Sequence, residues 1–210
     1  HALVLIQSVL AEETDIHQPT RYIFDEGHHL FEAADTVFST YLSGGEAFDL
    51  RRWLLGAETR SLGRSRGLKK RVEDLITENQ EGTKVLNQLL SAAQILPRDG
   101  WLNRLKDNQP IGPSESFFSA IKQQLEARTE NLNNIYSLET NIFPATESLI
   151  ETAEIFSKSL EKMANPIKLF CSILKTILDE KAETLETPIR LRIEAIIRSL
   201  TQRAYLTIKT

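Results

Sequence analysis

The residues best suited to chemistry are the adjacent Asp25 and Glu26, which follow the short apolar run at residues 22–24 and precede a Gly-His-His sequence. At the end of a buried strand, an Asp can hold Mg²⁺ through water. A neighbouring Glu can position and deprotonate a water that attacks a phosphoryl group. The apolar run predicts such a strand, and ligands of open α/β sheets collect at strand ends. The same residues are also typical of an acidic turn that closes an apolar run, with Gly27 as the break.

Residues 25–30, Asp-Glu-Gly-His-His-Leu, resemble the motif II form Asp-Glu-Ala-His-His-Leu of the DinG/XPD group of superfamily 2 DNA helicases. Residues 1–5, His-Ala-Leu-Val-Leu, are similar to the Asn-His-Ala-Leu-Leu segment that precedes motif II in that group. Gly27 stands where the family usually has Ala, and its small size should allow the turn to survive. The specific part of the resemblance covers about residues 1–42.

The resemblance implies a fragment of an ATP-dependent DNA helicase, a DNA-repair class of enzyme that couples ATP hydrolysis to translocation on single-stranded DNA and duplex unwinding. Asp25 would hold Mg²⁺ through water, Glu26 would activate the hydrolytic water, and His28 would couple hydrolysis to DNA movement. The cofactors of the intact protein would be ATP and Mg²⁺. The family also allows an iron–sulfur cluster in the parent, whose ligands would lie elsewhere.

Several parts that such an enzyme needs are missing from these 210 residues. The P-loop pattern Gly-x-x-x-x-Gly-Lys-Ser/Thr does not occur, and Cys171 is the single cysteine, so four cluster-holding cysteines are absent. Motif II alone cannot hold ATP, because the triphosphate needs the amides and lysine of a P-loop. We therefore expect a piece of a longer protein that does not hydrolyse ATP by itself.

From Leu30 onward, apolar residues recur at three- and four-residue spacing, which predicts helices that each bury one face. The fold class is therefore predicted to be all-α, an irregular multi-helix bundle. By the resemblance, residues 1–30 would be a helix plus a β-strand of a RecA-like domain in the intact protein, and residues 31–210 would be an Arch-like helical domain. Pro and Gly residues predict an internal loop break at residues 97–113.

Three local signals predict where helices begin or end. The Ser-Gly-Gly at residues 43–45 is expected to end the helix that starts after Gly27. The Asn-Pro at residues 165–166 and the Thr-Pro at residues 187–188 are each expected to begin a helix, with an N-cap residue followed by Pro in the first turn. Without the sheet of a parent domain, the strand at residues 22–24 would expose unpaired amides. Residues 1–26 are therefore predicted to be displaced, helical, or paired with another copy of the chain.

A basic cluster stands out because the chain is acidic overall, with a net charge of −4. Within it only Glu58 has the opposite charge, and Trp53 offers a surface on which a base could stack. The cluster predicts contact with a nucleic-acid backbone, although a solvated surface connection explains the same composition. A milder basic excess at Arg190, Arg192, Arg198 and Arg203 is assigned to the solvent face of the last helix. The basic cluster consists of Arg51, Arg52, Arg60, Arg64, Arg66, Lys69, Lys70 and Arg71.

Other features limit the classes of function. Apolar runs stay well below the ~18–20 residues of a membrane span, so no membrane partner is expected and a cytoplasmic location is predicted. Adjacent histidines such as His28 and His29 point in different directions on a helix and are poorly placed to chelate one ion. Cys171 lies on an apolar helical face and is predicted to be a buried structural thiol. A non-catalytic helical scaffold or interaction domain, or a nuclease-type relative that kept motif II, remain competing interpretations.

Overall fold

The computed structural model describes residues 4, 21–38, 43–58, 66–129, 138–181 and 184–205. Within these ranges every regular element is helical and no strand is present, which confirms the predicted all-α class. The chain divides into two compact units, His1–Tyr41 and Leu42–Thr210. The first unit contains helix α1 (His29–Phe38). The helices of the second unit are α2 (Gly44–Leu55), α3 (Leu68–Val72), α4 (Gln80–Ala92, continued by a 3-10 turn at Ala93–Ile95), α5 (Trp101–Lys106), α6 (Gly112–Arg128), α7 (Glu147–Glu180) and α8 (Thr187–Ser199, continued by a π-helical turn at Leu200–Tyr205).

The second unit is built around α7, which packs against α4, α6 and α8. Apolar residues of α7 recur at helical spacing and are buried along one stripe, against which the neighbouring helices pack. An aromatic group in which Phe117 and Phe156 have ring centroids 5.5 Å apart joins α6 to the first half of α7. The buried stripe consists of Phe156, Met163, Ile167, Phe170, Cys171, Leu174 and Ile177.

The predicted helix start at residues 165–166 is wrong, because α7 runs without interruption from Glu147 to Glu180 and contains Pro166. A proline inside a helix cannot donate the hydrogen bond to the carbonyl four residues before it, and its ring crowds that carbonyl. The buried residues Met163 and Ile167 lie on either side of Pro166 and belong to the same apolar stripe. Burial of that stripe on both sides outweighs the local cost of the proline. The other Pro signal is confirmed, since α8 begins at Thr187 with Pro in its first turn.

The Ser-Gly-Gly at residues 43–45 begins a helix rather than ending one, so this prediction is also wrong. Ser43 is the N-cap of α2, and its Oγ accepts a hydrogen bond from the backbone N–H of Glu46 at 3.0 Å. The Ser43 hydroxyl also donates to Glu46 Oε2 at 2.9 Å. A Ser followed three residues later by Glu is the capping-box pattern, and this local signal outweighs the presence of two glycines.

Residues 22–24 are not the short buried strand that their apolar character predicts. They have no regular secondary structure, and the Ile23 side chain is 100% exposed. The Tyr22 and Phe24 rings instead stack on each other with centroids 6.2 Å apart. A strand needs a neighbour to accept its amide hydrogen bonds, and no strand exists in the described part of this chain to supply one. Self-association through residues 1–26 stays a prediction, because residues 5–20 lie outside the described ranges.

Residues 97–113, where a loop break is predicted, are irregular on both sides of one short helix. They contain α5, and the Glu115 carboxylate ties both of their ends together, because it accepts hydrogen bonds from the backbone N–H groups of Arg98 and Ile111. Helices on both sides of this segment belong to the same unit. The assignment of residues 1–30 and 31–210 to RecA-like and Arch-like domains stays a prediction, whereas the observed units meet after Tyr41.

A close backbone approach at Gly67 fixes the position of α3 beside α2. A Cβ on Gly67 would lie 2.6 Å from the carbonyl carbon of Leu55 and 2.8 Å from the amide nitrogen of Gly56, distances that no side chain can relieve. This approach brings the end of α2, which carries Trp53, next to α3, which carries Lys70.

We expect Gly67→Ala to lower the free energy of unfolding by about 1–3 kcal/mol, because the new methyl group overpacks a site lined by backbone. Urea denaturation followed by circular dichroism measures the effect. Gly45→Ala is the matched control, since a Cβ there meets nothing closer than Ser43 Oγ at 4.0 Å. Alanine in a helix is favoured over glycine, so the control should be neutral or stabilising by up to ~1 kcal/mol. Equal losses in the two variants would contradict the close approach.

Candidate functional site

The residues of the motif II resemblance form an exposed acidic turn, Asp25–His28, that leads directly into α1. The backbone N–H of His29 donates to the carbonyl of Glu26 at 3.0 Å, and that of Leu30 donates to the carbonyl of Gly27 at 3.1 Å. These two bonds wind the turn into the first turn of the helix. The acidic turn therefore presents both carboxylates to solvent at a helix start.

Side-chain contacts within the acidic turn join Glu26 to His28. Asp25 Oδ1 accepts a hydrogen bond from the backbone N–H of Glu26 at 3.1 Å. Glu26 Oε2 lies 3.2 Å from His28 Nδ1, and both side chains are about two-thirds exposed. The neighbouring His29 Nδ1 lies 3.6 Å from Glu32 Oε2. The structure thus brings together Glu26 and His28, the residues to which the helicase resemblance would give water activation and coupling.

The backbone of the acidic turn shows whether an alanine could stand in place of Gly27. Glu26 has a φ of 52°, in the left-handed region that non-glycine residues rarely adopt, whereas no such φ is found at Gly27. A Cβ on Gly27 would meet only the carbonyl oxygen of Phe24, at 3.9 Å, which is ordinary van der Waals contact. The alanine found at this position in the helicase group would therefore fit the same turn.

No group of three or more His, Cys, Asp or Glu side chains converges on one point in the described ranges. Mg²⁺ binding by Asp25 through water, with most ligands supplied by the nucleotide and water, stays a prediction. His28 and His29 have ring centroids 4.0 Å apart and are tilted by 41°. Each imidazole contacts a different carboxylate, Glu26 for His28 and Glu32 for His29.

Arg51 is not a surface residue, so its predicted place in a DNA-binding surface is wrong. Its side chain is 3% exposed, and its guanidinium donates to the carbonyls of Ala93, Gln94 and Leu96. It also forms an ion pair with Glu58. The guanidinium caps the carbonyl end of the 3-10 turn after α4, where helix carbonyls otherwise lack donors. Arg51 therefore stabilises the fold, and Glu58 is its partner rather than an isolated acid in a basic surface.

The rest of the basic cluster is divided between two places. Trp53, Arg66, Lys70 and Arg71 line an open cavity of about 480 Å³, which we call the basic cleft. Arg52 lies outside that lining, with its guanidinium 5.8 Å from the centroid of the Phe48 ring, and Lys69 is exposed but also outside it. Arg60 and Arg64 lie outside the described residues.

One wall of the basic cleft comes from α8, whose arginines the sequence analysis assigned to its solvent face. Arg192, Ala195, Ile196 and Ser199 complete the lining. Arg192 pairs with Asp74, a residue 118 positions away in the sequence. Four cations therefore face the cavity, and none of the eight lining residues is acidic. The sequence of α8 gives no sign that this helix packs beside the basic residues of α3. Its place in the cleft lining is therefore visible only in the fold.

The Trp53 ring forms part of the floor of the basic cleft and is half-buried. The Arg71 guanidinium carbon lies 5.8 Å from the centroid of this ring, at the distance of a cation–π contact. Arg71 Nε donates a hydrogen bond to the backbone carbonyl of Arg66 at 2.9 Å, which holds the guanidinium in place. The arrangement offers an anion several donors beside an aromatic surface.

Cys171 is buried, and burial raises the pKa of its thiol above the ordinary value of 9.0, with opposing smaller effects from Thr201 and Lys175. A thiol with a raised pKa is a poor nucleophile at neutral pH. Its position on the buried stripe of α7 agrees with the predicted structural role.

No protein-family model, no curated protein and no solved structure matches this chain. Its function is therefore argued from the residues of the chain. Among the helices in the described ranges, none combines the length and apolar character needed to cross a membrane. The cytoplasmic location stays a prediction.

Proposed function

We propose that this chain is part of an ATP-dependent DNA helicase of the DinG/XPD-like group, with motif II at residues 25–30 followed by an Arch-like helical domain. The observation that carries the proposal is the acidic turn, in which the Glu26 carboxylate lies 3.2 Å from His28 Nδ1. Two adjacent exposed carboxylates at a helix start suit a metal-bound nucleotide and its attacking water.

Each residue of the acidic turn has a distinct role in this proposal. Asp25 holds Mg²⁺ through water when the nucleotide is bound. Glu26 positions and deprotonates the attacking water, for which a carboxylate within hydrogen-bond reach is required. His28, in contact with Glu26, transmits the state of the nucleotide site to the DNA-binding parts of the enzyme. The P-loop that holds the ATP phosphates would be supplied by other residues of the parent.

The helical unit adds a second line of support. The basic cleft contains four cations and a tryptophan, whereas the whole chain has a net charge of −4. A phosphate backbone would therefore be attracted to the cleft and not to the protein surface as a whole. Translocation on single-stranded DNA requires such contacts outside the nucleotide site. The cleft therefore supports a unit that guides the strand.

The test is ATP hydrolysis by the complete gene product that contains these residues, with and without single-stranded DNA. We expect DNA-stimulated turnover in the complete protein and none in the 210-residue chain. A complete protein that has a P-loop but hydrolyses no ATP, or a parent gene without a P-loop, would end the proposal. Turnover by the 210-residue chain alone would contradict the division of the site between segments.

A second candidate is a non-catalytic helical scaffold, which exposed apolar side chains on the second unit favour. Ile142 and Phe143 are mostly exposed before α7, and Ile150 and Ile155 are about half exposed on α7 itself. Contiguous exposed apolar residues are typical of protein contacts. The same ATPase measurement separates the two candidates, because a scaffold predicts no turnover in the complete protein.

A further inference from the structure

The basic cleft combines three properties that together define a ligand class. Its cations come from three separate elements: Arg66 precedes α3, Lys70 and Arg71 lie on α3, and Arg192 lies on α8. Its volume of about 480 Å³ falls in the range of small-ligand pockets. Its aromatic surface, Trp53, lies beside these cations rather than apart from them.

The acidic groups near the basic cleft offset only one of its four cations. Asp74 pairs with Arg192 from outside the lining. Glu58 is engaged by the buried Arg51 and does not line the cavity. An anion that enters therefore meets donors from two facing walls, and charge-assisted hydrogen bonds to phosphate are stronger than neutral ones.

Arg71 occupies the position that an aromatic ligand would need. Its guanidinium lies over the Trp53 ring, and its Nε donates to the backbone carbonyl of Arg66. A phosphate oxygen is a better acceptor for a guanidinium than a carbonyl, because it carries charge. A base is also a better partner for the indole face than a partly solvated cation, since base–aromatic stacking is the stronger interaction.

From this geometry we infer that the basic cleft binds one nucleotide of single-stranded DNA, whose base replaces the Arg71 guanidinium on the Trp53 ring. The phosphate binds between α3 and α8 and draws Arg71 from the indole. The base of the same nucleotide then stacks on the ring face that Arg71 leaves. This inference rests on the proposed function for its choice of ligand, while the site itself is defined by the residues above.

The experiment uses Trp53 as its own reporter in the full chain. Trp101→Phe removes the second tryptophan, which packs against Phe118 with ring centroids 5.9 Å apart, away from the lining of the basic cleft. We expect a short oligo(dT) to quench Trp53 fluorescence in a saturable manner and with an affinity that falls as salt rises. An abasic oligomer of the same length should bind more weakly and quench less at saturation, because its phosphates can still draw Arg71 from the ring but no base stacks there.

Two neighbouring lysines on α3 provide matched variants. Lys70 lines the basic cleft, whereas Lys69 is exposed outside it. We expect Lys70→Glu to weaken oligo(dT) binding by about 10-fold or more and to flatten its salt dependence, while Lys69→Glu changes affinity by less than about 3-fold. Arg192→Gln on the facing helix should weaken binding in the same direction as Lys70→Glu. Circular dichroism confirms that each variant is folded.

Three results would overturn the inference: no quenching by oligo(dT), equal quenching by the abasic oligomer, or equal effects of Lys69→Glu and Lys70→Glu. Equal competition by poly-glutamate would assign the cleft to acidic peptides instead and would also overturn it. The assay contains no ATP. Failure here therefore leaves the ATPase test of the proposed function standing, and an inactive parent protein leaves the fluorescence result standing.

Discussion

If the proposed function holds, Glu26→Gln in the complete protein is expected to reduce ATP turnover by about 10²–10⁴-fold, the usual contribution of a general base, while ATP binding is unchanged. Glutamine has nearly the shape of glutamate but cannot take a proton from water. In the proposed mechanism the nucleotide would be held by a P-loop and Mg²⁺ rather than by this side chain. Steady-state ATPase assays and equilibrium nucleotide binding measure the two quantities separately.

Glu32→Gln is the matched control for this substitution. Glu32 is an exposed acid on α1 that contacts His29 at 3.6 Å, as Glu26 contacts His28 at 3.2 Å. A general loss of acid–histidine contacts would affect both variants, whereas loss of the catalytic base affects only the first. Equal turnover in Glu26→Gln and the parent sequence would remove the acidic turn from the mechanism.

Glu115→Ala is expected to lower the free energy of unfolding by about 3 kcal/mol, because the partly buried Arg104 loses its partner and buried backbone N–H groups lose their acceptor. The Glu115 side chain is 0% exposed. Arg104 donates to it through two nitrogens, at 2.8 Å and 2.6 Å. The backbone N–H groups of Ile111, at 3.0 Å, and Arg98, at 3.2 Å, would also lose their acceptor. Urea denaturation at neutral pH measures the loss.

The same carboxylate makes stability depend on pH. Burial alone raises the pKa of Glu115, but hydrogen bonds from Arg104 and from the Ile111 and Arg98 amides outweigh it and hold the pKa below its ordinary value of 4.5. A group whose folded pKa is depressed contributes stability that is fully present above the unfolded pKa. This contribution is lost as the pH falls below about 4.5 and through the folded value. The difference between the parent chain and Glu115→Ala should therefore shrink as the pH falls through that range.

Glu126→Ala provides the control for Glu115→Ala on the same helix. Glu126 is an exposed partner of Lys122, with a separation of 3.7 Å. Exposed pairs four residues apart contribute little, so the expected loss is below about 0.5 kcal/mol. A loss at Glu115 no larger than the loss at Glu126, or one that does not change in acid, would contradict the role assigned to this buried carboxylate.

The helical character of the chain was predictable because it depends on periodicity, which is local. The apolar positions of α4 and α7 recur at three- and four-residue spacing, and burial follows the same stripes. Pro166 was misjudged because its cost is also local, whereas the burial that outweighs it arises from helices distant in sequence. The Ser43–Glu46 capping box was readable in the sequence, but the adjacent glycines were given more weight.

The candidate sites show the same division between local and distant information. The acidic turn could be identified from six consecutive residues, since its chemistry needs only neighbours. Trp53, Arg66, Lys70 and Arg71 of the basic cluster line one cavity, and their contact with DNA stays a prediction. Composition alone cannot separate a buried Arg51 from an exposed Lys69. The sequence alone could not place Arg192 in the cleft lining, because that position depends on the tertiary packing of α8 beside α3.

The proline within α7 gives this protein a mechanical property. A helix of 34 residues is about 50 Å long, enough to carry a displacement across the second unit as a stiff rod. At Pro166 one rung of its hydrogen-bond ladder is missing, so bending under load concentrates there. The point at which this helix would bend most easily, between Phe156 and Ile177, therefore lies inside the core rather than in a connecting loop.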